Sequence, residues 1–300
     1  MQPSYRGRFA PSPSGPLHLG SLLAALASWL QARSRAGEWL LRMEDLDRPR
    51  VSQAHADDIL ATLERHDLHW DGPVLYQSSR DDAYAAAADA LARQGLLYAC
   101  TCTRRELADS QPGIDGPVYP GTCRNSPPIR PQKHALRLRV DDREWHVADP
   151  IQGEYLQTLA GNVGDFILRR SDGLFAYQLA VVVDDAEQGI TEVVRGADLL
   201  SSTPRQMYLQ AILGYPTPGY AHVPMLTNAT GDKLSKQSHA DPIARQQPEV
   251  ALMVCLRLLG QQPPADLGDS GLQALLGWAQ RHWNVERVPR IQRLAVPPMA

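Results

Sequence analysis

RFAPSPSGPLHLGS, residues 8–21, sets three prolines, two glycines and one histidine between a short strand-like run and a long apolar segment. Upstream, residues 5–10 read as a strand. Downstream, LGSLLAALASWLQARSRAG (19–37) is apolar at helical spacing with Gly37 as its stop, and EWLLRME (38–44) reads as a second strand. Strand, turn, helix, strand is the opening of a parallel α/β sheet, in which ligands sit at the carboxyl ends of the strands. Within the turn, Gly15 admits close backbone approach, Pro16 restrains the entry, and His18 stands where a helix exposes its unpaired N–H groups. The arrangement suits an anion, although a histidine near a helix start also serves as an ordinary structural hydrogen-bonder.

At 300 residues and 43% hydrophobic, the chain buries a core sized for one large or two modest domains. The start, MQPSYRGRF, has no apolar signal region, and no run approaches the ~20 apolar residues of a membrane span, so a cytoplasmic protein with no membrane contact is expected. With a net charge of -3, nucleic-acid contact requires a local basic patch. Only three of the thirty basic residues are lysines, Lys133, Lys233 and Lys236, and two of them fall inside GDKLSKQS (231–238). A compact ammonium and a planar guanidinium are not interchangeable at a tight phosphate site. The pair therefore suggests phosphate contact opposite the opening turn, whereas the same loop alone would read as a solvated polar segment.

Residues 52–66 and 79–94 read as helices, the second closed by Gly95. From Leu97 to about Phe175, PGIDGPVYPGT (112–122), NSPPIRP (125–131) and the alternating HALRLRV (134–140) and DFILRR (165–170) indicate an insertion of short antiparallel strands. YQLAVVVDD (177–185) reads as a buried parallel strand. In STPRQMYLQAILGY (202–215), Thr203 caps a helix that Pro204 opens and Gly214 closes. Segments 241–261 and 272–283 read as small helices. The expected division is a catalytic α/β domain over 1–99 and 176–240, an insertion over 100–175, and a short helical region over 241–300.

Cys100, Cys102 and Cys123 cluster in the turn-rich insertion, a pattern that favours metal over disulfide in a cytosolic protein. Zinc takes four ligands, and Tyr119, His134 and Asp115 are the alternatives for the fourth. Cys255, alone in an apolar helix, reads as core.

PLHLG (16–20) with KLSKQ (233–237) resembles the paired nucleotide-binding motifs of class I aminoacyl-tRNA synthetases, and RFAPSPSG (8–15) with RMEDLDRPR (42–50) narrows the resemblance to the glutamyl branch. LYQSSR (75–80), YACTCTRREL (98–107), FAYQLAVVVDD (175–185) and VVRGADLLSSTPRQ (193–206) are similar to blocks of that branch in the same order, so the resemblance spans residue 6 to about 240. Ser21 stands in place of a second histidine in the first motif, and Leu234 and Gln237 replace a methionine and a serine in the second.

The resemblance implies an α/β fold: a class I synthetase Rossmann-like parallel sheet with an inserted zinc-binding, acceptor-contacting subdomain and a short helical C-terminal region. It implies that the α-carboxylate of L-glutamate attacks the α-phosphate of ATP, accompanied by Mg²⁺, and that pyrophosphate leaves. His18 and Lys236 would donate to the developing negative charge, with Lys233 and Ser235 assisting. Pro11, Gly15, Gly20 and Ser21 complete the implied ATP site. For glutamate, it places Arg8 and Arg195 at the γ-carboxylate, Glu44 on the α-ammonium, Ser12 and Tyr177 as hydrogen-bonders, and Phe9, Ala10 and Pro11 in the wall. It also selects Tyr119, four residues before Cys123, as the fourth zinc ligand.

Residues 237–300 are too few for the large anticodon-reading domain of the branch. Truncated paralogues of this kind transfer glutamate to the queuosine base in the anticodon loop of tRNA(Asp), which makes the anticodon stem-loop the expected partner of a monomer. Arg104, Arg105, Arg124, Arg130, Arg287, Arg290 and Arg293 are candidate RNA contacts. A glutamate-adenylate former with another acceptor and a non-catalytic binding module are the competing readings. His18, Lys233 and Lys236 argue against the latter.

Overall fold

The computed structural model describes residues 4–128, 133–228, 231–232, 243 and 246–296. Strand β1 (Arg6–Phe9) leads through the Pro/Gly turn into α1 (Leu19–Arg33), and β2 (Glu38–Met43) returns parallel to β1. Helix α2 (Gln53–Arg65), N-capped by Ser52, then leads to the short β3 (Leu75–Tyr76), parallel to β2. Leu22, Leu23, Leu26 and Leu30 of α1 are buried against this ladder, each contributing roughly 1.5–3 kcal/mol.

The stop of α1 differs from its sequence reading. The left-handed residue after the helix is Ala36, with φ 52°, while a Cβ on Gly37 would lie 2.6 Å from the Tyr5 carbonyl oxygen. Gly37 serves the close approach of β2 to the residue before β1, and the helix turns off one residue earlier.

Helix α3 (Asp81–Arg93) closes at Gly95, φ 72°, as expected. After α3 come β4 (Leu97–Cys100), the two-residue β5 (Pro112–Gly113) and β6 (Gly116–Pro117), β7 (Ala135–Leu138), the hairpin β8 (Glu144–Asp149) with β9 (Gly153–Thr158), the single turn α4 (Leu159–Asn162) and β10 (Phe166–Arg169). Their pairings are antiparallel, with β7 between β10 and β4.

YQLAVVVDD is not a strand: Tyr177–Glu187 forms helix α5. The Leu179–Val183 run is buried on all sides, packed in a cluster with Tyr84, Leu91, Leu168 and Leu209. An apolar run of this length does not distinguish a buried strand from a buried helix, and here packing overrides the β-preference of three consecutive valines. The parallel strand is the next segment, β11 (Glu192–Gly196), paired with β12 (Gly219–Val223) so that Arg195 faces His222. Thr191 N–H donates to the Arg6 carbonyl at 2.9 Å, which brings this second parallel ladder beside β1.

Helix α6 (Thr203–Leu213) has Pro204 in its first turn and Gly214 in the left-handed conformation after it. Its start is reached through a 3₁₀ turn, and Thr203 makes no capping bond, because its hydroxyl accepts from Arg195 instead. After β13 (Met225–Thr227), α7 (Pro248–Leu258) packs on α1 and carries the fully buried Cys255, and α8 (Leu272–His282) packs on α7. The last region is not wholly helical: β14 (Arg293–Ala295) pairs in parallel with β13. No helix among the described residues is long and apolar enough to cross a membrane.

Candidate active site

A cavity of about 270 Å³ opens at the carboxyl ends of β1, β2, β11 and β12. All eight residues expected at glutamate reach its wall: Arg8 and Phe9 closing β1, Ala10, Pro11 and Ser12 from the turn after it, Glu44 just beyond β2, Tyr177 opening α5, and Arg195 near the end of β11. Of the residues expected at ATP, Pro11, His18, Gly20 and Ser21 line it as well, whereas Gly15 is buried beneath the turn and does not. Lys233, Leu234, Ser235, Lys236 and Gln237 lie outside the described residues, as does Arg130.

The two guanidiniums differ in kind. Arg8 is held by Asp185, its Nε at 3.1 Å from Oδ1 and its Nη2 at 3.2 Å from Oδ2. Arg42, fully buried, shares the same carboxylate at 2.7 Å. Next to it, Asp184 accepts from Gln77, Arg80 and Tyr84. These two acids, the DD in the last turn of α5, hold the cationic floor of the site. Arg195, by contrast, donates only to uncharged groups: His222 Nε2 at 3.0 Å, Gln206 Oε1 and Thr203 Oγ1 at 2.8 Å, Leu199 O at 3.3 Å and Tyr177 Oη at 3.5 Å. Among the described residues it forms no ion pair, yet it is 5% exposed. A buried guanidinium without a carboxylate favours an anionic ligand.

Glu44 is the complement. Among the described residues its Oε1 is buried without a hydrogen-bond partner, and the nearest guanidinium, Arg42 at 3.8 Å, is committed to Asp185. Burial pushes the Glu44 carboxyl up to about 7, against the opposing pull of Arg42 and Arg8.

His18 is the N-cap of α1, its Nδ1 accepting from Ser21 N–H at 3.2 Å, so its proton sits on Nε2, 3.1 Å from Ser21 Oγ. Ser21 thus steadies the ring from the position where the class motif has a second histidine. Gly20 leaves it room, since a Cβ there would meet the imidazole at 3.2 Å. A donor and a helix N-terminus at one cavity wall fit a phosphate.

The cysteines form a second constellation. The sulfurs of Cys100, Cys102 and Cys123 lie within 4.8 Å of one another, and Tyr119 Oη is 3.4 Å from Cys100 Sγ and 3.7 Å from Cys102 Sγ. A tetrahedral zinc site with Zn–S bonds of about 2.3 Å has ligand–ligand edges near ~3.8 Å, so the donor set fits a metal. Against burial, the Tyr119 hydroxyl and Arg137 hold the Cys100 thiol below its usual range, while burial pushes Cys102 up to about 11. Asp115 is engaged by Arg205 and Ser201, and His134 does not join the cluster, which leaves Tyr119 as the fourth donor at hand. Of the candidate RNA contacts, Arg124 is tied to Asp165 and to Val140 O, whereas Arg104, Arg105, Arg287, Arg290 and Arg293 are exposed.

Sequence reading missed Arg42, Asp184, Asp185, Asp149 and His222. The signals were present: two acids ending an apolar run, and a histidine inside the apolar strand YAHV (220–223).

A parallel-stranded α/β core with a cavity at its carboxyl edge is the architecture of a class I synthetase catalytic domain, and similarity to known proteins places the chain in that class. Residues 4–268 match the model of the catalytic domain of class I tRNA synthetases of the E and Q group. The glutamate tRNA ligases of Elizabethkingia meningosepticum and Elizabethkingia anophelis share the fold, with TM-scores of 0.79 and 0.78 at 24% identity, over 96% and 97% of this chain and 66% and 68% of theirs. The chain is 56% identical to the glutamyl-Q tRNA(Asp) synthetase of Chromobacterium violaceum over 95% of each chain. It is 54% identical to that of Dechloromonas aromatica over 99% of this chain and 100% of the relative. The chain belongs to the glutamyl-Q tRNA(Asp) synthetase family.

Proposed function

We propose that the chain activates L-glutamate with ATP and transfers it to the queuosine base at the wobble position of the tRNA(Asp) anticodon. One observation carries the choice of amino acid: among the described residues, a buried guanidinium with only uncharged hydrogen-bond partners, Arg195, and a buried carboxylate oxygen with no hydrogen-bond partner, Glu44, line one cavity. An amino acid with an anionic side chain satisfies both at once. Its α-carboxylate is then left to attack the α-phosphorus of ATP, pyrophosphate leaves, and a mixed anhydride with AMP results. His18 Nε2–H and the helix N-terminus support the phosphate charge, and Lys233, Ser235 and Lys236 of the KLSKQ loop complete the triphosphate contacts. A hydroxyl of the cyclopentene diol then attacks the acyl carbon and AMP leaves. Mg²⁺ offsets triphosphate charge when bound.

Cys100, Cys102, Cys123 and Tyr119 would hold a structural zinc that orders the 98–123 segment as an RNA-contacting lobe. Exposed Arg104 and Arg105 beside this cluster supply positive charge suited to a single-stranded loop.

The test is incubation with ATP, labelled glutamate and tRNA(Asp) with or without queuosine, followed by nuclease digestion. Label on the wobble nucleoside of the modified RNA alone is the expected result. Label at the 3′ end of tRNA(Glu), or transfer independent of queuosine, would overturn it.

A further inference from the structure

Behind Arg195 lies a buried polar chain that neither the motifs nor the expected ligand contacts account for. Asp149, at the end of β8, uses Oδ1 to accept the N–H groups of Ile151 and Gln152 at 2.8 and 2.9 Å. Its Oδ2 is 2.6 Å from His222 Nδ1, and both side chains are fully buried. His222 Nε2 in turn faces Arg195 Nε at 3.0 Å. Gln152 also donates to the His222 carbonyl at 2.9 Å, so the β8–β9 turn grips this residue by ring and backbone.

We propose that Asp149 and His222 are positioning residues for Arg195, a carboxylate–imidazole–guanidinium relay by which a hairpin of the insertion aims the cation at the substrate's side-chain carboxylate. The inference rests on the reading of Arg195 as the carboxylate receptor.

Hydrogen-bond polarity determines the relay. A guanidinium has only donors, so the nitrogen facing Arg195 must offer a lone pair. The imidazole proton is therefore on Nδ1, where Asp149 accepts it, and the ring is neutral. Burial, with Arg195 adding to it, holds His222 down at about 4, so the ring stays neutral in the physiological range although Asp149 pulls the other way. Asp149→Asn is nearly isosteric but reverses this order. Its oxygen remains needed by the two backbone N–H groups, its amide then points at Nδ1, and the imidazole must carry its proton on Nε2, donor against donor with Arg195.

The experiment is glutamate-dependent ATP–pyrophosphate exchange on the full chain, with imidazole ¹⁵N shifts of His222 as the second readout. Asp149→Asn and His222→Leu are expected to raise the glutamate KM by about 10–100-fold, the scale on which outer partners of a ligand-binding group act, with the ATP KM unchanged and kcat little altered. His222→Gln, which restores an acceptor near Nε2, recovers most of the loss. The ¹⁵N pattern shows Nδ1–H in the natural protein and Nε2–H in Asp149→Asn. Arg195→Ala separates the two claims: an unchanged glutamate KM in that variant defeats the receptor reading itself. A raised KM there, with an unchanged one in Asp149→Asn and His222→Leu, or an Nε2–H tautomer in the natural protein, defeats the relay alone.

Discussion

Arg8 and Arg195 look equivalent on paper, two arginines each one residue short of a strand end, and the structure separates them by partner. Removing Arg8 leaves Asp185 with one cation fewer in a buried network, which costs about 3–5 kcal/mol of stability. Arg8→Ala is therefore expected to shift urea unfolding by that amount, whereas a midpoint unchanged from the natural protein would show that Arg42 alone satisfies Asp185. Glu44 gives a pH prediction. Its folded pKa, raised to about 7 by burial, means that its stability contribution is complete below the ordinary glutamate range and is lost as pH rises through 7. Binding has the opposite sign, because only the carboxylate pairs with the α-ammonium. The glutamate KM in exchange should fall roughly tenfold between pH 6 and 8 while the ATP KM stays level. Glu44→Gln should hold the weak value throughout, and a natural enzyme with a flat profile would remove Glu44 from the ammonium site.

The elements that were legible in sequence are those whose ends carry a chemical stop. Gly95 and Gly214 close α3 and α6 in left-handed geometry, and Ser52 caps α2. YQLAVVVDD has no such mark: a run buried on every side shows neither period, and its helical character comes from the cluster into which it packs. Gly37 was read at the correct junction for the wrong reason, and the two adjacent residues now predict opposite effects. Gly37→Ala puts a methyl 2.6 Å from a backbone oxygen and should destabilise by about 1–3 kcal/mol. Ala36→Gly relieves a non-glycine residue at φ 52° and should stabilise by up to ~1 kcal/mol. Denaturant midpoints of the pair decide it, and shifts of the same sign would contradict the assignment of strain to residue 36.

At the scale of the molecule, the motif residues line the cavity from strand ends and helix starts that lie next to them in sequence, whereas the supporting shell is assembled from distant segments. Asp149 meets His222 across 73 residues and Arg8 meets Asp185 across 177, separations that no single-sequence pattern encodes. The same organisation predicts how metal loss is felt. The cysteines, Tyr98 and Tyr119 form a small cluster of their own, while the β8–β9 hairpin that holds His222 packs through Val147 with Ile190, Val193 and Tyr220. The lobe near the cysteines and the support of Arg195 thus belong to separate hydrophobic clusters, although both lie within the insertion. Chelation, or Cys100→Ser, is therefore expected to abolish transfer to RNA and expose the 98–123 segment to protease while leaving pyrophosphate exchange largely intact. Equal loss of both activities would mean that the metal supports the cavity itself, and retention of both would remove the metal from the function of the lobe.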